Sequence, residues 1–166
     1  MKSRLNVLVD VTRAGGNWPS RLPPIKKVVA RTLELAKYRP PHQNVRPEIS
    51  IVLANDRFVR KLNKTYRHKD KPTNVLSFPQ EFDDAFDYDF DQPSGSLGDV
   101  VLAYETIRNE ATDQGKTFSN HLMHLIIHGI LHLIGHDHET EVETRRMEKL
   151  EIRILAEFGV NNPYEI

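Results

Sequence analysis

The stretch HGILHLIGHDH, residues 128 to 138, holds four of the chain's eight histidines. His128, His132 and His138 fall at i, i+4 and i+10, with Gly135 between the last two. Imidazoles at i and i+4 of a helix lie one turn apart on the same face, so His128 and His132 can point at one ion. A glycine beyond them lets the chain turn back, and His138 can supply a third nitrogen. Three histidine ligands leave one tetrahedral position open, which is the catalytic rather than the structural pattern for zinc. His124 extends the helical row but stands about 12 Å from His132 along the axis, at about 1.5 Å per residue. That is too far for all three helical rings to meet an ion about 2.0 Å from each nitrogen. His121 and His124 therefore read as core histidines, and His136 as a surface residue or one lining the site. Asp137 adjoins a ligand, where it can accept a histidine N–H or serve the turn.

The spacing is that of the zinc-peptidase pattern H-E-x-x-H-x-x-G-x-x-H, but Gly129 stands where such a site carries its general-base Glu. A divalent ion with three neutral ligands keeps its charge, lowers the pKa of bound water to about 7 and polarises a substrate oxygen. Peptide hydrolysis also needs a group to carry a proton to the amine leaving group, and Gly129 has none. Phosphodiester cleavage gathers negative charge on phosphoryl oxygens, so cations matter most. The planar fork of arginine suits that task; Arg67 is either such a clamp or a solvated surface arginine. Before it, Arg57, Arg60, Lys61 and Lys64 fall at i, i+3, i+4 and i+7 as a basic stripe, with Phe58 and Leu62 expected on the opposite, core-facing side. Such a stripe is a solvated face or a track for an RNA backbone, whose affinity would depend on salt. Tyr66 suits either base stacking or a core position.

These residues need a scaffold. The chain has 166 residues, enough for one domain with one sizeable core. Hydrophobic periodicity predicts strands at 4–11, 48–54, 74–78 and 98–104. Helices are expected at 25–38, from Asn55 or Asp56 to about Thr65, at 105–113, from Thr117 or Ser119 to Ile134, and at 139–158. The last helix places Met147, Leu150, Ile154 and Phe158 on one face. The order predicts a single α+β domain over residues 1–166, with about five helices on a four-stranded mixed sheet, the third and fourth strands antiparallel. The apolar stretch at 122–134 is too short to cross a bilayer. The N-terminus lacks a signal-peptide core, so a soluble cytoplasmic protein with no membrane partner is expected. There is no cysteine, so any transition metal must use histidine or carboxylate ligands. Net charge is zero, yet residues 81–91 hold six acids and no base. The remaining 23 bases and 17 acids leave +6, and seven of those bases lie between Arg57 and Lys71. Such a patch suits a polyanion.

The histidine motif closely resembles the H-G-x-L-H-L-x-G-Y-D-H signature of the YbeY family, bacterial rRNA maturation endoribonucleases; His136 replaces the usual tyrosine. Two further stretches, LNKTYRHKDKPTNVLSFP from Leu62 to Pro79 and SLGDVVLA from Ser96 to Ala103, are also similar to that family. The resemblance spans about residues 48–158, and the acidic loop 82–92 looks like a lineage-variable insertion. It implies a single-strand-specific endoribonuclease acting in 16S rRNA 3′-end maturation and late ribosome quality control. One zinc ion per chain is implied on His128, His132 and His138, with a functional arginine at Arg67. Single-stranded rRNA, the small ribosomal subunit and ribosomal or GTPase assembly factors are the implied partners. The alternatives are a zinc metallopeptidase, or a non-catalytic rRNA-binding assembly factor with structural zinc.

Overall fold

The segment EISIVLA forms the central strand β2 (Glu48–Ala54) of a four-stranded sheet. β1 (Leu8–Arg13) and β4 (Ser96–Ala103) flank it in parallel, and β3 (Val75–Pro79) runs antiparallel on the outer side of β4, giving the order β1-β2-β4-β3. The structure is a computed structural model describing residues 5–41, 44–80 and 95–165. The acidic loop 82–92 lies outside the described residues, as does Arg4, the first residue expected for β1.

Parallel neighbours need crossover connections. Helix α1 (Ile25–Leu35) joins β1 to β2, and α2 (Asp56–Arg67) followed by β3 joins β2 to β4. Helices α3 (Tyr104–Asp113), α4 (Phe118–Leu133) and α5 (Glu141–Glu157) follow β4. Successive strand residues point to opposite faces, and this chain fills both. Ile49, Ile51, Leu53, Val100 and Leu102 face a main core shared with α1, α4 and α5. Val101, Ala103 and Leu76 face a smaller cluster with Val59 of α2, which Leu62 and Phe78 flank. Helices α2 and α4 thus lie on opposite faces of the sheet.

α4 is the most enclosed helix. Ten of its sixteen residues are buried, from His121 to Leu133. The Thr117 hydroxyl accepts from the Asn120 N–H at 3.1 Å and caps its start. Its last turn closes through the Gly135 N–H to the His132 carbonyl at 3.1 Å and the His136 N–H to the Leu131 carbonyl at 2.9 Å.

Several boundaries differ from expectation. β1 begins at Leu8 and extends to Arg13 because its ladder follows β2, from Leu8 opposite Glu48 to Arg13 opposite Leu53. α1 stops at Leu35, and Lys37 takes a left-handed φ of 58°. α2 continues past Thr65 to Arg67 and ends at His68, also at φ 58°. β4 starts at Ser96, two residues early, opposite Glu48 of β2. α5 starts at Glu141 because Thr140 and Glu143 form a capping box there. The expected core face of α2 is also corrected. Phe58 is exposed and Leu62 is half-buried, while Val59 and Asn63 are the residues buried against the sheet. Asn63 tolerates burial through its side-chain amide, which donates to the Lys71 carbonyl at 2.8 Å and ties down the loop after α2.

Candidate metal centre

The second half of α4 presents His128 and His132 one turn apart, with their Nε2 atoms 3.0 Å from each other. The chain then turns at Gly135, whose φ is +99°. A Cβ there would meet nothing within 4 Å, so the demand for glycine is conformational rather than steric. The turn delivers His138, whose ring centroid lies 4.8 Å from that of His132 and 5.5 Å from that of His128. Local hydrogen bonds fix this loop. The Asp137 carboxylate accepts from the His138 N–H at 2.7 Å, the Thr144 hydroxyl donates to the His138 carbonyl at 3.1 Å, and the capping box anchors the helix behind it.

One nitrogen from each of the three histidines lies within 4.8 Å of the other two. Nitrogens about 2.0–2.1 Å from a tetrahedral zinc ion stand roughly 3.3 Å apart, so small ring movements would close the set on one ion. The donor set fits as well: imidazole suits zinc, copper, iron or nickel, and no thiolate competes. Burial lowers the pKa of His132, reinforced by the neighbouring His128 and His138, which favours the neutral form that ligation requires.

Behind His128 lies a carboxylate that no sequence motif picks out. Glu151 of α5 is 1% exposed, and its Oε1 lies 2.9 Å from His128 Nδ1. Its Oε2 accepts from the Tyr164 hydroxyl at 2.7 Å and also meets His124 Nε2. Burial alone would raise this carboxyl, but hydrogen bonds from His124, His128 and Tyr164 outweigh it and hold the pKa at about 2. Asp137 is placed otherwise: its carboxylate stands 4.0 Å from His138 Nδ1, beyond hydrogen-bond reach, and serves the turn. A signal for Glu151 was present, since it follows Met147 by four residues on the buried face of α5. His124 joins this group rather than the ligand triad. His121 is buried against Glu110, with its Nε2 3.2 Å from Oε1.

Gly129 has a packing reason. A Cβ at this position would lie 2.7 Å from Val100 Cγ1 and 3.2 Å from Ser77 Oγ. The Ser77 hydroxyl donates to the Gly129 carbonyl at 2.8 Å. Position 129 therefore points into the sheet, and a glutamate side chain would begin its course against β4 rather than beside the histidines.

The comparisons with known proteins bear on this constellation. The sequence model of the family described as Endoribonuclease YbeY matches residues 19–159. The chain belongs to the YbeY family. The YbeY match begins well ahead of Glu48, so it takes in α1 as well as the motif-bearing elements. The chain is 50% identical over 137 residues to the Endoribonuclease YbeY of Rhodopseudomonas palustris strain BisA53, covering 82% of this chain and 78% of that protein. It is 46% identical over 159 residues to the Endoribonuclease YbeY of Parvibaculum lavamentivorans, covering 94% and 84%. The solution structure of TM1509 from Thermotoga maritima shares the fold at a TM-score of 0.57 and 22% identity, over 96% of this chain and 97% of that one.

Within this YbeY fold, Arg67 is exposed at the end of α2, across the sheet from α4. Both helices reach the same stretch of edge strand β3. The Tyr66 ring packs on Phe78 at 5.3 Å between centroids, and Ser77 bonds Gly129 from the opposite face. Tyr66 itself is exposed. Of the basic stripe, Arg60 is engaged by Asp70 at 2.8 Å, which lowers the pKa of Asp70. Arg57, Lys61 and Lys64 are exposed and form no ion pair among the described residues.

Proposed function

We propose that the protein is a zinc-dependent endoribonuclease that cuts single-stranded RNA in maturing the 3′ end of small-subunit rRNA. The observation that carries this reading is the convergence of His128, His132 and His138 in a chain of the YbeY family. One zinc ion per chain would be held by those three nitrogens. Bound there, zinc supplies a Lewis acid and a nucleophile at neutral pH. The protein's own contribution is electrostatic. Arg67 clamps a phosphate from the far side of edge strand β3, and its forked guanidinium suits the charge that builds on phosphoryl oxygens. Arg57, Lys61 and Lys64 neutralise the incoming backbone and set register without reading bases. Arg60 joins them when Asp70 releases it. The direction of Gly129 tells against a helix-borne general base, and so against peptide cleavage.

The proposed partners are the small ribosomal subunit and its assembly factors, GTPases included, and the proposed site of action is the cytoplasm. Among the described residues no helix is long and apolar enough to cross a membrane.

The test pairs metal analysis with cleavage of a labelled single-stranded 3′ rRNA segment by wild type, His128→Ala and Arg67→Ala, each freed of contaminating ribonuclease. Wild type should cleave, His128→Ala should lose metal and activity, and Arg67→Ala should lose activity while keeping metal. Equal residual cleavage by all three overturns the assignment.

A further inference from the structure

A carboxylate can only accept hydrogen bonds, whereas each neutral imidazole offers one donor and one acceptor. Glu151 is buried and three groups face it: His128 Nδ1 at 2.9 Å, the Tyr164 hydroxyl at 2.7 Å, and His124 Nε2. Each must turn a proton toward it. His128 is then held with its proton on Nδ1 and its lone pair on Nε2. That is the nitrogen which faces Nε2 of His132 at 3.0 Å, on the side where His138 arrives. His124 takes the reverse tautomer, with its proton on Nε2. Its Nδ1, buried without a partner among the described residues, becomes a bare acceptor rather than a stranded N–H.

The position of this charge sharpens the point. Glu151 shares its helix face with Met147, Ile154 and Leu155, all buried in the core. A buried carboxylate is costly unless paired and fully hydrogen-bonded, and an apolar residue would fill the same face without that cost. Glu151 lies too far behind His128 Nδ1 to share the Nε2 cluster, because the ring stands between them. Its reach ends on the back of a ligand.

We infer that Glu151 is a positioning residue, fixing the tautomer and orientation of His128 so that Nε2 is presented to a metal ion, with Tyr164 steadying the carboxylate from the other side. This rests on the histidine triad being a metal site. Carboxylate partners of ligating imidazoles orient the ring and raise its basicity, and their loss weakens metal binding about 10–100-fold.

The decisive variant is Glu151→Gln. An amide presents an acceptor on one side and a donor on the other, so it keeps the shape but no longer dictates where the His128 proton sits. Ring-nitrogen NMR of the metal-free protein should show the neutral His128 ring as a single Nδ1–H tautomer in wild type and as a mixture in the variant. Zinc affinity, measured by competition with a chromogenic chelator, should weaken about 10–100-fold. Tyr164→Phe keeps the Oε1 contact, so the wild-type tautomer should persist and the affinity loss should stay under about tenfold. Where Glu151→Gln does not fold, Glu151→Asp retains the charge but draws it back from His128, and the same weakening is expected. A mixed His128 tautomer in wild type, or unchanged tautomer and affinity in Glu151→Gln, overturns the assignment. A wild type that fixes the tautomer yet binds no zinc would instead remove the metal reading of the triad, so the two failures are distinguishable.

Discussion

Gly129→Ala sets two effects against each other. Alanine is about 1 kcal/mol better than glycine inside a helix, so on propensity alone the substitution stabilises α4. Against this, the new Cβ arrives 2.7 Å from Val100 Cγ1, closer than carbon atoms tolerate, in a fully buried part of the core. Overpacking of this kind costs about 1–3 kcal/mol. Pushing α4 off the sheet also stretches the 2.8 Å bond from Ser77 to the Gly129 carbonyl, worth about 1 kcal/mol. The net is a loss of about 1–3 kcal/mol, or roughly 2–12 °C in Tm for a chain of this size. Thermal unfolding of the metal-free protein, followed by circular dichroism in chelator, reads it directly. An unchanged or raised Tm would show that the close approach of α4 to β4 does not exist in solution. Gly129→Glu extends the test, since it restores the residue a zinc peptidase would carry. It should destabilise more than alanine and create no peptidase activity, because its side chain starts toward Val100 and Ser77.

Gly135→Ala meets no steric obstacle but must hold φ near +99°; a strain of about 1–3 kcal/mol is expected, read as a lower Tm and a weaker zinc affinity as His138 loosens. Acid stability tests Glu151. Its folded pKa of about 2 lies below the ordinary 4.5, so its contribution is present above about pH 4.5 and lost as pH falls toward 2, about 3 kcal/mol in all. Glu151→Gln should flatten that limb in urea titrations of the metal-free protein, and an unaltered limb would contradict the stabilisation of the carboxylate by its hydrogen bonds from His124, His128 and Tyr164. Lys61→Ala and Lys64→Ala should each reduce the log–log salt slope of single-stranded RNA binding by about 0.7; an unchanged slope in both removes α2 from the RNA path.

The legibility of the chain in its sequence follows the range of the interactions. The helix-borne pair and the returning third histidine were readable because their geometry is local, set by a 3.6-residue repeat and one glycine. Strand existence was readable from alternation, and the antiparallel pair β3–β4 from the succession of the two strands without an intervening helix. Registers were not, because β1 takes its limits from Glu48 and Leu53, which are remote in sequence. The same holds for chemistry. Gly129 read as a lost base until β4 supplied Val100 as its neighbour, and Asp137 drew attention only by adjacency. Glu151 escaped because its partners, His124, His128 and Tyr164, lie up to 27 residues away. A charged residue on an otherwise apolar helix face was its one local trace. Phe58 was misplaced because hydrophobicity alone cannot say which side of a short helix meets the sheet.

Solvent access rises in chain order through His121, His124, His128 and His138. The side chains are 5% exposed at His121, 13% at His124, 26% at His128 and 55% at His138. An ion seated on the triad would meet His128 on the enclosed side, backed by Glu151, and His138 on the open side. An ion would arrive over His138 last to be gripped and leave over it first to be freed. His138→Ala should therefore speed release in a stopped-flow chelator chase more than Tyr164→Phe does, and the loop from Gly135 to Thr140 becomes the place where loading kinetics are set.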